Sequence, residues 1–144
     1  MPIRPENRER YPLNWPEISR GVRERAGNKC EGCGVANYAI GGRSADGTFL
    51  PVRPKGEKLL RIEWPAPGEW WWCGAGERVE MLRIIRIVLT VAHLDHRPEN
   101  CAPANLRAWC QRCHNRYDAA TRRAGIAHRA REAAAVADLF ERNA

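Results

Sequence analysis

A chain of 144 residues with 44% hydrophobic and 28% charged residues can close one modest core, and two full domains would be crowded in it. Its net charge of +7 comes from 24 basic residues against 17 acidic ones, and 21 of the basic residues are arginine. The longest charge-free apolar run near the middle, Ile87 to Ala92, falls far short of the roughly 20 residues a membrane-spanning helix needs, and the composition excludes a collagen, a coiled coil or a plain linker.

Residues 1–13 read as a basic arm. The first ten carry three arginines, two glutamates and two prolines, which is no secretory signal, so a cytoplasmic, reducing compartment is expected. A first helix is expected from Asn14 to about Ala26. Asn14 suits the cap, Pro16 the first turn, Glu17 the reciprocal position of a capping box, and Gly27 the stop. Residues 34–80 form an insertion with β character. Ala45-Asp46-Gly47 reads as a hairpin turn before a strand at Thr48–Val52, and Leu59–Trp64 is a second strand candidate. Pro65, Pro67 and Gly68 then break the pattern. Trp70-Trp71-Trp72-Cys73 follows. Three adjacent tryptophans cannot all face one core, and a small satellite core is favoured over a base-stacking platform. Leu82 to His93, rich in Ile and Val, is the strongest strand pattern. Residues 94–105 are a polar loop, Leu106–Trp109 a short strand or turn, and Gln111 opens a helix expected to stop at Gly125. Ile126 to Arg142 reads as a further amphipathic helix, with Ala130, Ala134, Ala137 and Phe140 at helical spacing.

Four of the six cysteines form two C-x-x-C pairs, Cys30/Cys33 and Cys110/Cys113. In a reducing compartment such pairs suit a four-thiolate structural zinc site better than disulfides. The 76 residues between the pairs far exceed a usual ribbon, so a sub-structure is expected between the two halves of one site. Cys73 is expected to be a buried apolar residue, and Cys101 incidental.

One stretch carries the chemistry. A strand ends at His93, Asn105 follows twelve residues later, and His114 nine residues after that, in the first turn of a helix anchored by the second thiolate pair. Such a strand, loop, strand and helix can bring two imidazoles to one cleft. A neutral imidazole can take a proton from water, and a metal can stabilise a leaving oxygen. Arg107, Arg112, Arg116, Arg122 and Arg123 crowd the same stretch, and arginine grips phosphate at two points. The competing readings are ordinary ones: His93 as a strand-end residue, His114 as a zinc ligand replacing one cysteine, and His96 and His128 as loop and surface groups.

Val91-Ala-His-Leu-Asp-His-Arg-Pro-Glu-Asn100, with Asn105-Leu106 and Cys110-x-x-Cys113-His114 behind it, resembles the HNH endonuclease family. More closely it resembles the phage and bacterial members with a four-cysteine zinc knuckle beside a ββα-metal core. The resemblance covers about residues 84–118 and the early C-x-x-C. It implies His93 as general base, Asn105 as the residue that holds the loop and orients that base, and His114 as ligand of a catalytic divalent metal (Mg2+, Mn2+ or Ni2+). Zn2+ on the four cysteines would be structural. Members often carry Asp or His just before the general base, where this chain has Ala92; Asp95 or Asp118 would then complete the metal site.

The expectation is therefore a single α+β domain: arm (1–13), helix and first zinc half-site (14–33), β-rich insertion (34–80), zinc-stabilised ββα-metal core (81–124) and C-terminal helix (126–142). Its expected activity is hydrolysis of phosphodiester bonds in DNA, as monomer or homodimer, with no membrane partner. The second reading is a catalytically weak or inactive zinc-stabilised nucleic-acid-binding module, which Ala92 favours. A third is a protein-interaction domain that uses the tryptophan-bearing insertion.

Overall fold

The computed structural model describes residues 5–53 and 64–142. The protein is mixed α+β, with two α-helices and small antiparallel sheets among the described residues. Two compact units divide at Gln111/Arg112. Every described strand lies in the first, and the described part of the second is helical.

In the first unit a 3-10 helix at Pro5–Arg10 leads into helix α1, Trp15–Arg25. The helix stands where the sequence places it, but Asn14 makes no side-chain cap. The entry is stabilised by main chain instead: the Trp15 N–H donates to Pro12, and the N–H groups of Glu17 and Ile18 donate to the Asn14 carbonyl. Gly27 adopts φ +61°, the left-handed turn that ends a helix, and its N–H closes on the Glu24 carbonyl. Val22 is the buried residue of α1, which packs against the last strands of the unit.

The hairpin expected around Asp46-Gly47 is present. Strand β1 (Ile40–Arg43) pairs antiparallel with β2 (Phe49–Pro51). Gly47 takes φ +84°, and Asp46 accepts the Thr48 N–H at 2.8 Å. A Cβ at Gly41 would run into the Leu50 carbonyl oxygen, so glycine is what lets the two backbones approach. A second hairpin joins β3 (Trp70–Ala75) to β4 (Arg78–Arg83), and β5 (Ile85–Arg86) adds to the free edge of β1. The side chains of Leu50, Val52, Cys73 and Ile84 are buried together, with Ile40, Trp71 and Leu82 packed around them. This is the satellite core expected of the insertion, yet only the middle tryptophan joins it. Burial of such aliphatic side chains contributes about 1.5–3 kcal/mol each.

The long strand expected at Leu82–His93 does not exist as one element. It is divided among β4, β5 and β6 (Leu89–His93), which belong to three different sheets. A continuous run of Ile and Val satisfies any buried extended segment, and here Ile84, Ile87 and Leu89 are buried while Ile85 and Val88 face outward. The backbone changes partner to match: the Ile84 N–H goes to Glu69, the Ile87 N–H to Ala39 and the Leu89 N–H to the Asn37 side chain. Strand β6 pairs antiparallel with β7 (Leu106–Cys110), with His93 opposite Leu106 and Leu89 opposite Cys110. Of the strand expected at Leu59–Trp64, positions 59–63 lie outside the described residues.

The second unit corrects another expectation. One helix, α2, runs from Gln111 to Arg142 with no break at Gly125. Glycine stops a helix when it turns left-handed, and Gly125 does not take a positive φ. It costs about 1 kcal/mol relative to alanine and leaves the helix intact. Ala130 and Ala134, expected on an apolar stripe, are exposed. No helix among the described residues is long and apolar enough to cross a membrane.

Candidate metal centre and histidine site

The two thiolate pairs meet. The sulfurs of Cys30, Cys33, Cys110 and Cys113 all lie within 4.8 Å of one another, close enough to hold a metal ion such as zinc. The first pair sits on a tight knuckle. The Gly34 N–H donates to the Cys30 carbonyl, the Cys30 N–H to Val35, and Gly34 takes φ +73°. The Cys110 N–H donates to the Cys30 sulfur at 3.2 Å, and the Cys33 and Cys110 sulfurs are 3.7 Å apart. Cys113 follows Cys110 by one helical turn, at the start of α2. The spread of the four sulfurs suits the roughly 2.3 Å bonds of a tetrahedral thiolate site.

Three neighbours not anticipated from the sequence complete this centre. Arg43, on β1, donates to the Cys110 sulfur at 3.2 Å and reaches Cys33 at 3.9 Å. Burial raises the Cys33 thiol, but the Val35 backbone and the Arg43 guanidinium outweigh that, and it falls to about 7. Glu31, inside the first C-x-x-C, accepts the Ala108 N–H at 2.6 Å and donates its own N–H to the Ala108 carbonyl, which ties the knuckle to β7. Arg25 donates to the carbonyls of Leu106 and Pro103, fixing α1 to the same strand. A glutamate between two cysteines is a faint signal; nothing local in the sequence marks Arg43.

His93 ends β6 and is 9% exposed. The indole of Trp15 stacks on its ring, with centroids 5.0 Å apart and planes at 23°, and Tyr11 meets it edge-on at 5.8 Å. Arg10 holds this N-terminal segment against the loop by two bonds to Glu99, at 2.6 and 3.2 Å. Burial lowers the His93 pKa against the opposing pull of Asp95 and Glu99, which favours the neutral imidazole. The Cys101 sulfur lies 3.9 Å from Nε2, and burial pushes its thiol up.

Asn105 organises the loop after His93. Its side chain donates to Asp95 at 2.9 Å and to the Asn100 carbonyl at 2.8 Å, and accepts the Asp95 N–H at 3.1 Å. Its main-chain carbonyl accepts the Leu94 N–H. Asp95 also accepts the Arg97 N–H and the Asn100 side-chain amide. These bonds, the Arg97 N–H foremost, hold its carboxyl down to about 2. Asp95 thus closes the loop that follows His93.

In the second unit His114 stands in the first turn of α2, with Nε2 3.3 Å from an Asp118 oxygen one turn on. An imidazole and a carboxylate at i, i+4 form a donor pair that a divalent cation can use. Arg107 is in the first unit and donates to the Ala104 and Leu106 carbonyls. Arg112, Arg116, Arg122 and Arg123 are on α2, the last three exposed. His96 is exposed in the loop, and His128 is a surface residue 3.3 Å from Glu132. Cys73 is fully buried in the insertion, as expected of an apolar cysteine. Comparison with known proteins finds no matching family model, no matching curated protein and no matching solved structure.

Proposed function

We propose that this protein is a metal-dependent endonuclease of the HNH type that hydrolyses phosphodiester bonds in DNA. The observation that carries the reading is the pairing of a largely buried His93 at a strand end with the loop that Asn105 and Asp95 close directly after it. The chain order supports it: β6, that loop, β7, then the helix that carries His114, with the thiolate centre at the β7–α2 junction. The arginine-rich composition suits a phosphate backbone.

In this reading His93 takes one proton from a water molecule as the water oxygen bonds to phosphorus. The bond to the 3′ oxygen breaks, and that oxygen leaves to take a proton from solvent. Burial lowers the pKa of the imidazole, which favours the unprotonated form that a base requires. Asn105 and Asp95 orient the base by fixing the loop that follows it. His114 and Asp118 are the residues that would hold the catalytic cation, which when bound supplies positive charge to the leaving oxygen. Zinc on Cys30, Cys33, Cys110 and Cys113 is structural.

Plasmid nicking with Mg2+, Mn2+ or Ni2+ tests the proposal. Cleavage should appear with at least one ion and fall at least 100-fold in His93→Ala and in His114→Ala. Variants that cut as well as the parent overturn the assignment.

A second reading, a zinc-stabilised nucleic-acid-binding module without catalysis, is favoured by Ala92 and by the aromatic cover over His93. It requires salt-sensitive DNA binding and no cleavage under any of the three ions.

A further inference from the structure

We infer that the outer face of the β3–β4 hairpin is a stacking platform for unpaired bases of single-stranded nucleic acid. Directly opposed residues of an antiparallel pair share a face, and the register sets Trp70 against Arg83, Trp72 against Met81 and Gly74 against Val79. Side chains of one face repeat every second residue, so Trp70, Trp72, Met81 and Val79 form one stripe while Trp71 and Cys73 enter the core behind it. The stripe is open: the two tryptophans are 66% and 49% exposed, Met81 45% and Val79 38%. The core of the insertion is already closed on the other face, so folding of the hairpin does not require these side chains.

The charge around the stripe selects its occupant. Arg83 lies beside Trp70 at one end, and its guanidinium donates through Nε to the Gly68 carbonyl. At the other end the Arg53 guanidinium stands over Gly74, where a Cβ would come within 3.1 Å of its Nε, and donates to the Gly76 carbonyl. Each guanidinium carries five N–H groups, so both keep donors for an anion. Among the described strand residues of this face there is no carboxylate: Glu80 is on the opposite face, bound to Arg78 and Ser44. Aromatic surface between two arginines fits bases joined by phosphates, and an apolar protein partner would leave both cations uncompensated. Two tryptophans at i, i+2 stand roughly 6.6 Å apart, about two base steps of a nucleic-acid strand. A duplex keeps its base faces stacked inside, so the occupant is a single strand.

The inference stands apart from the hydrolysis reading, and its test is run without added divalent ion. Zinc-loaded full-length protein is titrated with labelled oligothymidylate and with a duplex of equal length, followed by anisotropy and tryptophan fluorescence. Expected results are quenched fluorescence, preference for the single strand, and affinity at least about ten-fold weaker in Trp70→Ala and in Trp72→Ala. Trp72→Phe should recover most of the loss, and Arg83→Ala should flatten the salt dependence. Zinc content and far-ultraviolet circular dichroism equal to the parent's establish that the variants fold; if an alanine variant does not, Trp72→Phe and Met81→Glu decide, the first binding near parent level and the second weakly. Equal affinity of parent and tryptophan variants overturns the platform. So does a dimer in sedimentation that Trp72→Ala dissolves, because the face would then belong to a second copy. Single-strand binding without plasmid nicking would uphold the platform and remove the nuclease; nicking without tryptophan-dependent binding would do the reverse.

Discussion

Trp15, at the first position of α1, lies flat against the imidazole of His93, with ring centroids 5.0 Å apart. The contact joins the N-terminal helix to the end of β6, so the environment of the candidate base is set from the start of the chain. Trp15→Ala should therefore change the titration of His93 more than the backbone around it. The imidazole gains water, and its pKa should rise toward the ordinary 6.5. Stability should fall by about 2 kcal/mol, between the 0.5–1.5 kcal/mol of an aromatic pair and the 3–5 kcal/mol of a fully buried aromatic deletion. An NMR titration of the histidine ring and urea unfolding check both effects. In a nicking assay the acid limb of the pH profile should move to higher pH, because the base stays protonated longer.

Stability should depend on pH in two steps. The folded pKa of His93 lies below its ordinary 6.5, so just below that pH the unfolded chain binds more protons and the native state loses ground. The contribution is complete above about 6.5 and is lost as pH falls toward the folded value. The second step comes from Asp95 and Asp46, both held down to about 2. Their stabilisation is present above the ordinary 3.8 and is lost as pH falls through about 2. Melting temperatures from about pH 1.5 to 8 resolve the steps, about 3 units apart on ordinary carboxylate and imidazole values. His93→Gln should abolish the upper one and leave the lower one.

Local chemistry was the legible part of this chain. The pairing of Cys30/Cys33 with Cys110/Cys113 across 76 residues, the Asp46-Gly47 hairpin and the limits of α1 all follow from spacing and turn residues. Partners far along the chain were not legible. The Ile/Val run at 82–93 states only that its backbone is extended; which group accepts each hydrogen bond depends on Glu69, Ala39 and Asn37, and no local pattern encodes that. Gly125 was misleading for a related reason: a glycine permits a helix to end, and without a left-handed turn it does not impose one. Trp15 over His93 and Arg43 over the thiols are cross-chain meetings of the same kind.

Asn105→Ala should unmoor the loop between β6 and β7. The substitution removes two donated bonds and one accepted bond and leaves the Asp95 N–H without that partner. With the site partly exposed, the cost should be about 1–3 kcal/mol. Hydrogen exchange should show it locally, as faster exchange of the Asp95 amide with the β6–β7 ladder still protected. Asn105→Asp should be worse than alanine above pH 5, because a second carboxylate would face Asp95 at the distance the amide now spans.

Zinc removal should unfold the first unit rather than loosen it. Structural zinc in small sites carries about 10–16 kcal/mol of apparent binding free energy, comparable with the 5–15 kcal/mol that is the whole stability of an ordinary domain. The thiolate centre is also where α1, the knuckle and β7 converge, through Arg25, Glu31 and Cys110. Protein purified without added metal should hold about one zinc per chain, and chelation should erase the cooperative melt. Cys30→Ser and Cys110→Ser should each give protein that purifies without metal and lacks a folded spectrum. Arg43→Ala separates charge from ligation. It removes the cation that faces the Cys110 and Cys33 sulfurs and leaves all four ligands in place. Four thiolates around one divalent ion leave a net charge of −2, which a neighbouring guanidinium offsets. Zinc affinity should therefore fall by about ten-fold while one zinc per chain is still bound at saturation, in line with the 10–100-fold effect of outer partners on a metal site. Competition with a chromophoric chelator measures both quantities, and unchanged affinity would show that Arg43 only packs beside the centre.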